Sequence, residues 1–254
     1  MFFQDNKTFD DFLKFSNETA SEMDIHTPPF ELLRKVDEYC RTRLWNRELS
    51  APYSAALLGV SGMWQVYGAA RNVIHGQPSV VFPILRTALE NACYSLEICA
   101  NPKLEKVWTN RHVSNSQRQK CRDAFGKAAA NAGRKLAEIQ PEVGEWMNLM
   151  YESFLDYGAH PNVKSIYSHL TEGEVTQEGL AKFSLHGLYP ATAFELQKAS
   201  LAVVETAVLI ALILTIALKG LSSDDDFEAW SILNDEKNGL ADAMGLEVSE
   251  DIFL

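Results

Sequence analysis

At 254 residues the chain is long enough for one large domain or two small ones, and can bury a sizeable core. Its 46% hydrophobic and 22% charged residues are ordinary for a soluble globular protein, and the net charge of −11 sits mostly at the two ends. The four cysteines (Cys40, Cys93, Cys99, Cys121) form no C-x-x-C pair, which excludes a disulfide or zinc framework and points to reduced thiols on helix faces in the cytoplasm.

The expected elements are helices almost throughout. Thr8 followed by Asp11 has capping-box spacing and opens a short helix with Phe9, Phe12, Leu13 and Phe15. Thr27-Pro28-Pro29 opens a second, whose stripe of Leu32, Val36, Tyr39 and Leu44 runs to about Glu48. A third starts at Ser50-Ala51-Pro52 and runs to His75, stopped by Gly76 and Pro78. Its small residues (Ala55, Ala56, Gly59, Gly62, Ala69, Ala70) predict close approach to a neighbour. Ser79 is the expected cap of a fourth helix, which holds Arg86 and Glu90, accommodates Pro83 near its first turn and ends at Asn101-Pro102. A short helix over 103–111 follows, then one long basic helix from a Ser114/Gln117 capping box to the residue before Pro141. Residues 141–157 form the next, with Trp146, Leu149, Met150 and Phe154 on one side. From 158 to 189 the helical period fades, and Ser165–Leu170 and Leu180–Leu185 are the expected strands of a small hairpin across Thr171–Gly179. Pro190 opens the last long helix, closed by Lys219-Gly220.

Residues 201–218 are almost all apolar. The uninterrupted run Thr206–Leu218 is shorter than the roughly 20 residues that cross a bilayer, and lengthening it takes in Glu205. A central core helix is expected there, and no membrane partner. The opening Met-Phe-Phe-Gln-Asp-Asn lacks the basic start and long apolar run of a signal peptide.

Charge divides the chain into three. Residues 1–26 are an acidic arm with a short helix, 27–221 the helical bundle, and 222–254 an acidic amphipathic tail with ten acids and one base. Within the body, 103–135 holds nine bases (Lys103, Lys106, Arg111, Arg118, Lys120, Arg122, Lys127, Arg134, Lys135) against Glu105 and Asp123. The tail interleaves its acids with Phe227, Trp230, Leu233 and other large apolar groups, so it should dock on a surface, within the chain or on a second copy. The basic stretch offers it the opposite charge.

Three constellations could carry chemistry. The first is a polar centre of Arg86, Glu90, Glu97, Asp156, Tyr157, His160 and Glu205, placed in stretches that otherwise read as buried helix. Arg86 and Glu90 stack one turn apart. The cluster can be a register-locking network, a ligand or active site, or a divalent-metal site, but the E-x-x-H signature of ferritin-like centres is missing. No metal and no cofactor is expected. The second is Arg71 with His75, a cation beside a proton carrier, suited to cleaving RNA through a ribose 2′-hydroxyl. The bland alternative is that the pair caps a helix C-terminus. The third is the basic stretch, with Lys103, Lys106, Arg111, Arg118, Lys120 and Arg122 as nucleic-acid candidates and Trp108 and Phe125 among them; a solvated helix face is the alternative.

Arg71-Asn72-Val73-Ile74-His75 is similar to the Arg-x(4–6)-His motif of the HEPN ribonucleases, with only three residues intervening here. Leu85-Arg86 through Glu90, Trp108–Arg111 and Tyr157-Gly158-Ala159-His160-Pro161-Asn162 resemble segments shared by bacterial all-helical proteins near the HEPN and abortive-infection (AbiV-like) groups, over roughly residues 50–220. The resemblance implies a helical fold and a setting in stress or phage defence.

The expected fold is all-α, one bundle of about six to eight helices around 190–219, with a small hairpin. The leading expectation for function is a cytoplasmic interaction or regulatory protein that binds a protein partner or self-associates. The alternative is a HEPN-like, metal-independent ribonuclease acting on RNA through Arg71 and His75, or through Arg86, Glu90 and His160.

Overall fold

The structure is a computed structural model that describes residues 8–45, 51–159, 163, 166, 169–175, 181–219 and 224–244. Its helices are α1 (Phe9–Glu22), α2 (Pro28–Tyr39), α3 (Tyr53–Ile74), α4 (Val81–Ala100), α5 (Lys103–Thr109), α6 (Asn115–Phe125), α7 (Ala128–Ile139), α8 (Pro141–Phe154), α9 (Phe194–Lys219) and α10 (Asp224–Ala243). The fold is all-α in class, and one short antiparallel pair, β1 (Leu170–Val175) with β2 (Ala181–Leu185), interrupts it.

α9 organises the core. Val204, Ala207, Val208, Leu209, Ile210, Ala211, Ile213 and Leu214 are fully buried, and they cover its whole circumference. Such a helix has no face for solvent and must be wrapped. α2, α3, α4 and α10 wrap it. Each large aliphatic side chain buried there contributes about 1.5–3 kcal/mol. By length and composition α9 could cross a membrane, yet 83% of its apolar window is buried inside the chain. The small residues of α3 do what their spacing implies. A Cβ on Gly59 would lie 2.9 Å from Leu214 of α9, and one on Gly62 would lie 3.0 Å from the Ala88 carbonyl of α4.

Local signals explain the helix starts. The Thr8 hydroxyl accepts the Asp11 N–H at 3.1 Å, and the Ser114 hydroxyl accepts the Gln117 N–H at 3.2 Å. Ser79 does not cap α4; it lies in a 3-10 turn, Pro78–Val80, and Val80 occupies the cap position without a side-chain bond. α2 continues into a π-helical turn, Cys40–Trp45, which buries Cys40 and Leu44. α9 starts at Phe194, after a turn beginning at Pro190.

Other expectations are corrected. The long basic helix is two helices, because the chain breaks at Gly126, which closes α6. That break leaves more helices than the six to eight expected. Leu149 is 51% exposed; Val143, Met147, Met150 and Phe154 form the inward face of α8. In the strand pair, the first strand is 170–175, so residues read as the turn pair with the second strand. The described part of the tail, 224–244, seats chiefly on elements other than the basic stretch. α10 packs chiefly on α9 and α2, with Trp230 1% exposed and its indole N–H donating to the Val208 carbonyl at 2.9 Å. Residues 245–254 lie outside the described residues.

Gly76 makes the turn between α3 and α4. It is the one described residue with a left-handed backbone, φ 77°, and a Cβ there would lie 2.5 Å from the Tyr189 carbonyl. The Tyr189 N–H donates to the Gly76 carbonyl at 2.9 Å, tying the segment before α9 to this turn.

Candidate functional site

The polar row on α4 is the centre of the site. Arg86, Glu90, Tyr94 and Glu97 recur at helical spacing and are all partly buried. Arg86 Nε donates to Glu90 Oε1 at 3.0 Å. The same oxygen accepts the Tyr151 hydroxyl of α8 at 2.9 Å, and the Arg86 guanidinium lies 5.7 Å from the Tyr151 ring centre. Burial, then the Glu90 carboxylate, push the Tyr151 phenol up. Burial works against the charge of Arg86, but Tyr151 and Glu90 outweigh it and hold the guanidinium above its usual value. The pair keeps 25% and 30% of its side-chain surface, so it is half-buried and not sealed.

The other expected members divide. Glu97 does not join the Arg86–Glu90 pair; its Oε1 is buried without a hydrogen-bond partner among the described residues. Asp156 and Tyr157 lie on a π-helical turn, Leu155–Ala159, where the Tyr157 ring sits 5.7 Å from that of Phe82. Both make interactions, so neither is idle. His160 lies outside the described residues, as do Pro161 and Asn162. The cation whose charge acts on Glu205 is not Arg86 but Lys237 of α10. Burial pushes Glu205 up to about 7 against the pull of Lys237, and burial lowers Lys237 against the pull of Glu205. The Lys237 ammonium lies 3.7 Å from the ring centre of Trp146, on α8.

The Arg71/His75 pair is split by its surroundings. Arg71 is exposed. His75 is the C-cap residue of α3, and its Nδ1 lies 3.3 Å from the Ser16 hydroxyl, which also donates to the His75 carbonyl at 3.0 Å. The histidine therefore fastens α1 to the end of α3.

The basic stretch spans α5, α6 and α7, of which α5 packs on α6. Lys103, Lys106, Arg118, Lys120, Arg122, Lys127 and Arg134 are exposed. Among the described residues, none of the nine cations has a carboxylate within 4.0 Å, whereas Lys14, Arg34, Lys35, Arg41, Arg43, Arg86 and Lys219 are all paired. Arg111 differs from its neighbours: it is half-buried, and its Nε has no hydrogen-bond partner. The aromatic residues expected to line a groove face inward instead. Phe125 is 2% exposed and stacks on Tyr94 at 4.5 Å, and Trp108 packs with it in a small second core.

Sequence reasoning missed Tyr151, Lys237 and Asp226. Asp226 is 3% exposed and binds Arg43 at 3.0 Å and Lys219 at 2.5 Å. Its carbonyl accepts the Tyr39 hydroxyl at 3.2 Å. Lone charges among apolar residues in the tail were the available signal, since Lys237 is its single base. No group of three or more His, Cys, Asp or Glu that could hold a metal occurs among the described residues.

Comparison with known proteins gives no match: no family model, no curated protein and no solved structure is similar to the chain.

Proposed function

We propose that the chain is an interaction protein whose α5–α7 surface holds a polyanion, with single-stranded RNA the class that suits it best. One observation carries the reading: in a chain with eleven more acids than bases, nine cations in one stretch are left without carboxylate partners among the described residues. Exposed cations on consecutive helices of one stretch repel one another where they come near, and a chain of phosphates relieves that repulsion while releasing counterions. Exposed arginines and His112 offer flat faces to unstacked bases, which favours single strands. A role in stress or phage defence belongs to this proposal on the resemblance alone.

The test is fluorescence anisotropy with a labelled single-stranded RNA across a salt series. Binding should weaken as salt rises, and reversing Arg118, Lys120 and Arg122 to Glu should lower affinity at least tenfold. The slope of log K against log salt should fall by about 2, from roughly 0.7 per lost phosphate contact. No binding at low salt, or a triple variant that binds like the wild type, refutes the proposal. The exposed Arg71 favours a second reading, the HEPN-like ribonuclease. RNA cleaved by the wild type and spared by Arg71→Ala would establish that reading in place of simple binding.

A further inference from the structure

α3 carries a face that the described residues leave exposed. Tyr53, Leu57 and Trp64 are 76%, 47% and 69% exposed, and their spacing of four and seven puts them on one stripe with Val60, Gly68 and Arg71. An outward helix face is normally charged, yet residues 53–70 hold no Asp, Glu, Lys, Arg or His. Gly68 sits on the same stripe, and a Cβ there would meet nothing within 4 Å. No contact among the described residues requires this glycine, a residue that weakens a helix interior.

The two ends of the stripe carry opposite charge. At the C-terminal end, Ser16 holds α1 against His75, and α1 has Asp10, Asp11, Glu18 and Glu22 against one base, Lys14. At the N-terminal end, Glu105 of α5 accepts the Ser54 N–H at 3.0 Å and its hydroxyl at 2.8 Å. That occupies the acid of α5 and leaves Lys103 and Lys106 exposed without carboxylate partners among the described residues.

We infer that α3 is the interface of a two-fold homodimer in which the α3 helices of two copies cross antiparallel. From Tyr53 to Gly68 the stripe carries no charge and is compatible with itself, with Arg71 only at its end, and a two-fold interface uses the same patch on both subunits. With the axis level with Gly62, Val60 meets the partner's Trp64, and Tyr53 approaches the partner's Arg71. Gly68 lets the two backbones come close. The antiparallel sense brings the acidic α1 of each subunit towards the basic α5 of the other, whereas a parallel pair would set like charges together. A large exposed tryptophan ringed by smaller apolar groups is the kind of residue that anchors such a contact. The inference goes beyond polyanion binding and stands without it.

Light scattering on the full chain across a concentration series tests it. The wild type should show twice the chain mass at micromolar concentration. Trp64→Glu and Leu57→Glu, both at exposed positions, should raise the dimer dissociation constant at least tenfold while leaving helicity and the melting temperature of the monomer in place. A wild type that is monomeric throughout, or a Trp64→Glu variant that dimerises unchanged, overturns the interface. Glu18→Lys with Glu22→Lys should weaken the dimer, and adding Lys103→Glu with Lys106→Glu should restore it. Failure of that rescue overturns the antiparallel arrangement. RNA anisotropy on Trp64→Glu separates the two proposals, because a monomer that keeps its RNA affinity leaves the basic surface intact.

Discussion

Asp226 fastens the C-terminal helix to the core, and replacing it with Leu measures how firmly. Its carboxylate is 4% exposed and shared by Lys219, at 13%, and Arg43, at 35%. Behind it, the Tyr39 hydroxyl lies 2.7 Å from Thr215 on α9, and burial together with the Asp226 charge pushes that phenol up to about 12. Removing one partner of a buried pair costs about 3–5 kcal/mol where the other charge stays buried with less compensation. Arg43 can turn to solvent and Lys219, though more buried, keeps a further interaction of its own, so Asp226→Leu should cost about 3 kcal/mol, near the lower end. For a chain of this size that corresponds to a melting temperature roughly 6–12 °C lower. Lys219→Met alone should cost only about 1 kcal/mol, since Arg43 still neutralises the aspartate. The double variant should therefore be milder than the sum by at least about 1 kcal/mol. Urea denaturation of the four proteins of the cycle gives the numbers, and amide exchange in α10 shows whether the loss is local. An Asp226→Leu cost below about 1 kcal/mol, or strict additivity, would refute the reasoning.

The Glu205 carboxyl, pushed up to about 7 from 4.5, holds a proton in the folded chain that the unfolded chain has already released. Stability should be greatest below about pH 4.5 on its account and fall as pH rises towards 7, by up to roughly 3 kcal/mol. Glu205→Gln should flatten that fall, and a variant curve parallel to the wild type from pH 5 to 7 would count against it. Because the Arg86–Glu90 pair is half-buried, Arg86→Met should cost about 1–2 kcal/mol, and Arg86→Met with Glu90→Leu should cost less than the sum of the two. Additive effects would show that the pair contributes no coupling. Gly76→Ala should cost at least about 2 kcal/mol in chemical denaturation, from the left-handed backbone and the Tyr189 carbonyl in its way. A neutral result would mean that the turn relaxes.

What could be read from the sequence was local. The all-α class, the capping boxes at Thr8 and Ser114, the start and stop of α3, and the Arg86–Glu90 pair all depend on residues within one or two turns of each other. The buried character of α9 was legible too, because a helix apolar on every side has to be surrounded. The partners of the isolated charges were not. Glu90 is joined by Tyr151, 61 residues later, and Glu205 feels the charge of Lys237 on α10, the helix packed against α9. Asp226 gathers Arg43, 183 residues earlier, and Lys219. A sequence shows that a charge placed among apolar residues needs compensation, but many cations and hydroxyls can supply it at similar energy. Which one does so is decided by how helices cross, and crossing depends on side-chain shapes such as Gly59 against Leu214 that no periodicity encodes. The basic surface shows the same division: its charge was plain in the sequence, while only packing decided that Trp108 and Phe125 turn inward and leave the cations alone at the surface.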